Sequence, residues 1–250
     1  MPTSPAERNL APARSYGRGE GDIRPVRLTR SVLPHALGSC EVEFGQTKVL
    51  CAATIEEGVP GWRLRDHAGW VTAEYAMLPC STGTRTRRET AHRKGRSMEI
   101  ERLVGRSLRA VCDLKALGEY TVTVDCDVIN ADGGTRTAAV TGAWVALHDA
   151  FMAWVDAKKI ARIPLVDQVV AVSVGMVDGQ VLVDLDYRED SRAEVDMNLA
   201  YTGRREFVEV QGTGERTSFD RAHLDTLLDR GEAALVELLR IQDECVGWSD

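Results

Sequence analysis

Three short stretches of this 250-residue chain bring together residue types that act on phosphate. The first is Asp132-Gly133-Gly134-Thr135-Arg136, set between an alternating segment and a helical one. Glycine lets the backbone approach a ligand closely, a helix start offers unpaired N–H groups and a positive dipole end, and Arg136 adds a planar fork matched to phosphate oxygens. Taken alone, the two glycines equally suit an ordinary tight turn with Arg136 on the surface. The second stretch is Gly95-Arg96-Ser97, another arginine at the start of a helical segment. The third holds Asp184, Asp186, Glu189, Asp190, Glu194 and Asp196. Asp184 and Asp186 share one face if the preceding strand continues, and Asp190, Glu194 and Asp196 follow where the chain turns. Donors that are oxygen alone select Mg2+ or Mn2+ over zinc. Singly, each acid is an ordinary surface ion-pair partner. Two arginines at two helix starts, beside a carboxylate cluster, read together as an anion site next to a cation site.

Charge is distributed in the same sense. The net charge is −7, yet Arg85 to Arg109 carries eight arginines and one lysine against three glutamates, or +6, leaving −13 for the rest. Asp178 to Asp196 has seven acids against two arginines, or −5. Opposite patches of this density suit an anionic substrate beside a bound cation, although either alone is also what a solvated face looks like. The basic loop residues Arg85, Arg87, Arg88, Arg93 and Lys94 have no aromatics between them, which fits a nucleic-acid backbone better than stacked bases. Trp62, Trp70 and Tyr75 read as core or interface residues. There is no GxSxG, no P-loop and no histidine beside an obvious nucleophile, so a serine hydrolase has no support.

The elements that must position these residues follow from periodicity. Glu41 to Phe44, the turn Gly45-Gln46 and Thr47 to Ala53 form a hairpin pattern, and Trp70 to Leu78 reads as a strand. Ser97 to Leu117 reads as one helix, with Ile100, Leu103, Val104, Val111 and Leu114 on one face and Arg102, Arg106 and Arg109 opposite, capped by Ser97 and stopped at Gly118. Tyr120 to Ile129 alternates as a strand, and a second long helix runs from about Thr135 to Ala157. Val169 to Leu185 is a hairpin turning at Asp178-Gly179, Phe207 to Gln211 a short strand, and Ser218 to about Cys245 a final amphipathic helix. Strand groups alternating with long helices predict a single α+β domain in which helices cover sheets.

Composition is that of an ordinary globular protein, 44% hydrophobic and 28% charged, and the length suits one substantial core. No apolar run approaches the roughly 18 residues of a membrane helix. Residues 1–22, rich in Pro, Gly and charge, read as a flexible N-terminal tail of a cytoplasmic protein, and 244–250 as a C-terminal tail. The six cysteines include no CxxC pair and mostly sit in hydrophobic runs, which predicts buried thiols rather than disulfides or zinc.

Several blocks then resemble one family. Arg24-Pro25-Val26, the run Gly69 to Pro79, Asp125 to Val128, Ala131 to Ala138, Ala171 to Gly175 and Glu209-Val210-Gln211-Gly212-Thr213 closely resemble bacterial RNase PH, in order, from about Ile23 to Gln242. The resemblance implies an RNase PH-type fold, shared with a small-subunit ribosomal protein domain, over residues 23–243. It implies a phosphate-dependent 3′→5′ exoribonuclease that trims tRNA precursors and other RNA 3′ ends, releasing nucleoside diphosphates, and that assembles as a homohexamer, a trimer of dimers. Carried over residue by residue, phosphate binding falls on Arg96, Gly134, Thr135 and Arg136, the Mg2+ (or Mn2+) site on Asp190 and Asp196, and the tRNA grip on Arg85 and Arg88. Arg136, Asp190 and Asp196 would carry catalysis, with inorganic phosphate as co-substrate. Two departures fall in the tRNA-gripping segment: Cys80 stands where the family often has arginine, and the loop between Arg88 and Arg96 is about two residues short. The rival expectations are a hydrolytic nuclease using Asp184, Asp186, Asp190 and Asp196, and a non-catalytic RNA-binding ring subunit.

Overall fold

Residues 13–88 and 95–248 are described in a computed structural model. The alternation of Tyr120–Asn130 (β5) buries Val122, Val124, Cys126 and Val128 on one face and makes this strand the second-last of a five-stranded sheet. Its neighbours are Val26–Arg30 (β1), Gly38–Phe44 (β2), Thr47–Glu57 (β3) and Trp70–Met77 (β4), in the order β1-β2-β3-β5-β4. Pairing is antiparallel except between β4 and β5, and the β2–β3 hairpin turns at Gly45-Gln46 as the pattern predicts. A second sheet has the order β7-β6-β8-β9, from Val169–Val177 (β6), Gln180–Val183 (β7), Val195–Thr202 (β8) and Phe207–Gly214 (β9). Asp178 and Gly179 both take positive φ in the β6–β7 turn, the geometry a tight two-residue hairpin requires.

Between the sheets lies a 22-residue helix, Thr135–Asp156 (α3). Beyond its first turn it is mostly apolar and buried without a break from Thr137 to Phe151, as expected of a helix with no solvent face there. By length and composition α3 is apolar enough to cross a membrane, contrary to the expectation that no such segment exists, but its most apolar stretch is 72% buried against the sheets as a core helix. Gly142 is where α3 presses closest: a Cβ there would collide with Val42 and stand 3.1 Å from the Cys51 sulfur. The final helix, Arg221–Val246 (α5), covers the second sheet, and buried Gln242 donates to the carbonyls of Thr141 and Val169, tying α5 to α3 and β6.

The structure departs from several expectations. The single helix over Ser97–Leu117 is in fact Gly95–Ala110 (α1) and a one-turn Leu114–Leu117 (α2). Between them Cys112 bridges to Leu165, and Asp113 restarts the helix by accepting from the N–H groups of Lys115 and Ala116. Ser97 is not a cap but a buried residue of the first turn. Arg109 does not join an exposed arginine face: its guanidinium lies 4.2 Å over the Trp70 ring and donates to the Val71 carbonyl. The segment read as an N-terminal tail is described from Ala13, and Arg14 and Arg18 fasten it to the second sheet through Glu189 and the Val183 and Asp184 carbonyls. At the other end α5 continues to Val246, and Trp248 packs edge-on against Trp144. Four of the six cysteines are buried, Cys245 is half-buried and Cys80 is exposed.

Candidate active site

The backbone of the anion loop leaves little choice of sequence. Gly133 and Gly134 have φ of 76° and 65°, and a Cβ on Gly133 would collide with the Leu185 carbonyl and stand 2.7 Å from the Asp186 carbonyl carbon. Only glycine permits this turn to lie directly on the acidic segment. Gly134 is the N-cap of α3, and among the described residues no side chain caps it, so the first turn keeps unpaired N–H groups. Thr135 is buried, with its hydroxyl 2.8 Å from the Tyr75 hydroxyl of β4. Burial raises the Tyr75 phenol, while Thr135 and the nearby Arg96 and Arg136 pull it the other way.

The acidic stretch divides. β7 ends at Val183, and Asp184 turns away with φ 54°, so Asp184 and Asp186 do not continue a strand face. Asp184 is 0% exposed and grips Arg24, itself 1% exposed, through Oδ1···Nη2 at 2.7 Å and Oδ2···Nε at 2.9 Å. Burial works to raise the Asp184 pKa, but the hydrogen bonds and charge of Arg24, with Arg18 behind it, hold it below its ordinary value. Asp186 caps the one-turn helix Tyr187–Asp190 (α4) in a reciprocal capping box with Glu189. Glu194 accepts from the Gly179 N–H. The four-carboxylate cluster needed by a hydrolytic site is therefore not assembled.

Asp190 and Asp196 behave differently. Together with Arg96, Gly134, Thr135 and Arg136 they line one cleft of about 480 Å3. Burial pushes Asp196 up to about 6, and Asp190 adds to the rise, against Arg136 and a hydrogen bond from Asn198. Asp190 is also raised by burial, opposed by Arg96 and Arg136. All six predicted phosphate and carboxylate residues thus meet at one place. Two carboxylates that line one cleft, the charge of one raising the pKa of the other, are a donor set suited to a hard divalent cation, which keeps waters and takes one or two protein carboxylates. Among the described residues no group of three or more His, Cys, Asp or Glu side chains forms a metal cluster.

Arg85 and Arg88 do not line the cleft. They are exposed, while Thr82, Gly83 and Thr84, just before them in the chain, line it. Arg93, Lys94 and most of the short loop ahead of Arg96 lie outside the described residues.

The sequence gives no sign that Arg24, Asn198, Glu99, Gln211 or Tyr187 belongs to the site, and marks Tyr75 only as a core or interface residue. Arg24 is the hub: besides Asp184 it donates to the Asp132 carbonyl at 2.6 Å, so one side chain holds the anion loop and the acidic turn together. Its partner is 160 positions away, and the only sequence signal was its place in a matched block. Tyr187, 63% exposed, stands at the cleft with its backbone N–H on Asp132.

Residues 22–153 match the model of the 3′ exoribonuclease family, domain 1, and residues 167–234 match its domain 2. The chain is 53% identical to Ribonuclease PH of Bacillus mycoides (strain KBAB4), covering 94% of this chain and 97% of that one. It is 56% identical to Ribonuclease PH of Saccharopolyspora erythraea, covering 94% of each. Among solved structures it is similar in fold to rice (Oryza sativa) Rrp46, with a TM-score of 0.76 at 21% identity over 93% of this chain and 99% of that one. A chain of the Archaeoglobus fulgidus exosome with RNA bound to the active site superimposes with a TM-score of 0.78 at 24% identity, covering 91% of each.

Proposed function

We propose how this chain, which belongs to the RNase PH family of 3′ exoribonucleases, carries out its reaction. The protein is a phosphorolytic 3′→5′ exoribonuclease with inorganic phosphate as co-substrate. Arg96, Arg136 and the backbone N–H groups of Gly134 and Thr135 hold phosphate in line with the last phosphodiester of the RNA. A phosphate oxygen bonds to that phosphorus as the bond to the preceding 3′ oxygen breaks, and the proton carried by phosphate leaves with the freed 3′ oxygen. The product is a nucleoside diphosphate, and because its anhydride conserves bond energy the step is reversible. Phosphate needs little activation, so the protein's work is to hold two anions together and offset their repulsion. Asp190 and Asp196 would hold Mg2+ or Mn2+, which supplies positive charge at the scissile phosphate.

The observation that carries this reading is the meeting of Arg96 and Arg136 with Asp190 and Asp196 in one cleft. That cleft draws on both family-model segments, which supports residues 23–243 as one catalytic unit. Arg85 and Arg88, both exposed, are the proposed grip on tRNA precursors. The likeness to exosome chains supports an oligomer, and we assign it as a homohexamer built from three dimers.

The test incubates purified protein, Mg2+ and a 3′-extended tRNA with and without phosphate and separates the products. Diphosphates formed only with phosphate are expected, and Arg136→Ala should lower the rate by roughly 10²–10³. Phosphate-independent monophosphates, or normal turnover by Arg136→Ala at saturating phosphate, would overturn the assignment.

A further inference from the structure

Arg136 is not left to find phosphate unaided. Its Nη1 donates to Gln211 Oε1 at 3.1 Å and stands 3.6 Å from Glu99 Oε1. Gln211 closes the triangle by donating from Nε2 to Glu99 Oε1 at 2.5 Å. The three residues come from three elements: Arg136 from the first turn of α3, Glu99 from α1 and Gln211 from β9. Gln211 is also the register partner of Asn198, whose side chain bonds Asp196. Glu99 lies one turn along α1 from Arg96, on the spacing at which helical side chains are neighbours. A negative charge is thus set beside both arginines assigned to phosphate.

We propose that Glu99 and Gln211 are positioning residues with opposite effects on phosphate affinity, Gln211 aiming the Arg136 guanidinium and Glu99 competing with phosphate for it. This rests on the phosphate role of Arg136 proposed above. A neutral amide that accepts from a guanidinium orients it without weakening its pull on an anion. A carboxylate at 3.6 Å orients it and also opposes the approach of a second anion to the same charge. The pair therefore sets the phosphate concentration at which the enzyme half-saturates, and spares the chemical step. Glu99 is 49% exposed at its side chain and Arg136 18%, so the competing charge is partly screened and its effect is moderate rather than prohibitive.

The sign separates this proposal from a structural role, because a merely structural contact weakens phosphate binding whichever partner is removed. Glu99→Gln keeps the acceptor for Gln211 and removes only the charge; Gln211→Leu removes the aiming hydrogen bond and keeps the charge. Both positions are at the surface, and thermal melting checks that each variant folds. In phosphorolysis of a 3′-extended RNA at varied phosphate, Glu99→Gln should lower the phosphate KM by roughly fivefold, and Gln211→Leu should raise it by roughly tenfold. kcat should move less than KM in each, the mark of a contact made equally in ground and transition states. Calorimetric titration of inorganic phosphate into the RNA-free protein should give Kd changes of the same signs. A higher or unchanged KM for Glu99→Gln, or an unchanged KM for Gln211→Leu, would overturn the proposal. Failure of the wild type to make diphosphates would instead overturn the reaction on which it depends, and shows in the same assay before any variant is compared.

Discussion

Asp184, in the turn just after β7, and Asp196, in β8, are the same residue type, yet their surroundings push them in opposite directions. Asp184 is sealed in with Arg24 and Arg18 and held in its charged form. Asp196 is buried beside Asp190, and its pKa rises to about 6. The first has satisfied its charge inside the protein and can do nothing further. The second stands at the wall of a cleft with only Asn198 bonded to it and no arginine fork, at a cost to the fold, and is free for the cation-binding role proposed for it. The carboxylates proposed to act are distinguished by the absence of an arginine fork, not by sequence spacing.

Breaking the satisfied pair should have the largest effect. Asp184→Ala leaves Arg24 charged, buried and unpaired, which should cost about 3–5 kcal/mol in denaturant unfolding. It should also abolish activity, by releasing the Arg24 link between the anion loop and the acidic turn. Retention of wild-type stability would show that the pair holds nothing.

Breaking the unsatisfied pair should do the opposite. Asp190→Asn should lower the phosphorolytic rate by roughly 10²–10³ while the melting temperature stays at or above that of the wild type. A rate loss accompanied by unfolding would erase the distinction between the two pairs.

The comparison sharpens with pH. A carboxylate whose folded pKa lies above its ordinary value gives stability at low pH that is lost as pH rises through the folded value, here about 6. In the presence of chelator, Asp196→Asn should therefore be more stable than the wild type at about pH 7.5, on the order of 2 kcal/mol, with the gap closing toward about pH 4. Asp184 carries the opposite slope, because its stabilisation is lost as pH falls below the ordinary carboxylate range. A pH-independent gap for Asp196→Asn would mean that its carboxylate titrates normally.

Much of this could be read from the residues. Strand alternation over Tyr120–Asn130, the Gly-Gly turn and the long helix after it stand where periodicity and turn chemistry put them, because each is fixed by local rules. The resemblance named six residues that the fold brings to one cleft. Two things were not legible. The apolar period of α1 continues in register through Val111 and Leu114, so periodicity could not see that Cys112 pairs with Leu165 and that Asp113 starts a new turn. Nor could local sequence divide the acids into two kinds, since what separates Asp184 from Asp190 is an arginine from the other end of the chain. Gln211 stood in a matched block, but its bond to Arg136 exists only once β9 has docked beside α1.

That last dependence bears on how the enzyme is made. Synthesis delivers Arg24 and Arg136 early, Asp184 and Asp190 later and Gln211 later still, and domains tend to fold as they emerge. Until β7 and α4 have left the ribosome the anion loop has no acidic turn to rest on, and until β9 follows Arg136 lacks the Gln211 amide beside it. A nascent or prematurely terminated chain therefore carries both arginines proposed to hold phosphate without the finished cleft around them. A nuclease born in the midst of its own substrates is silent until it is nearly complete.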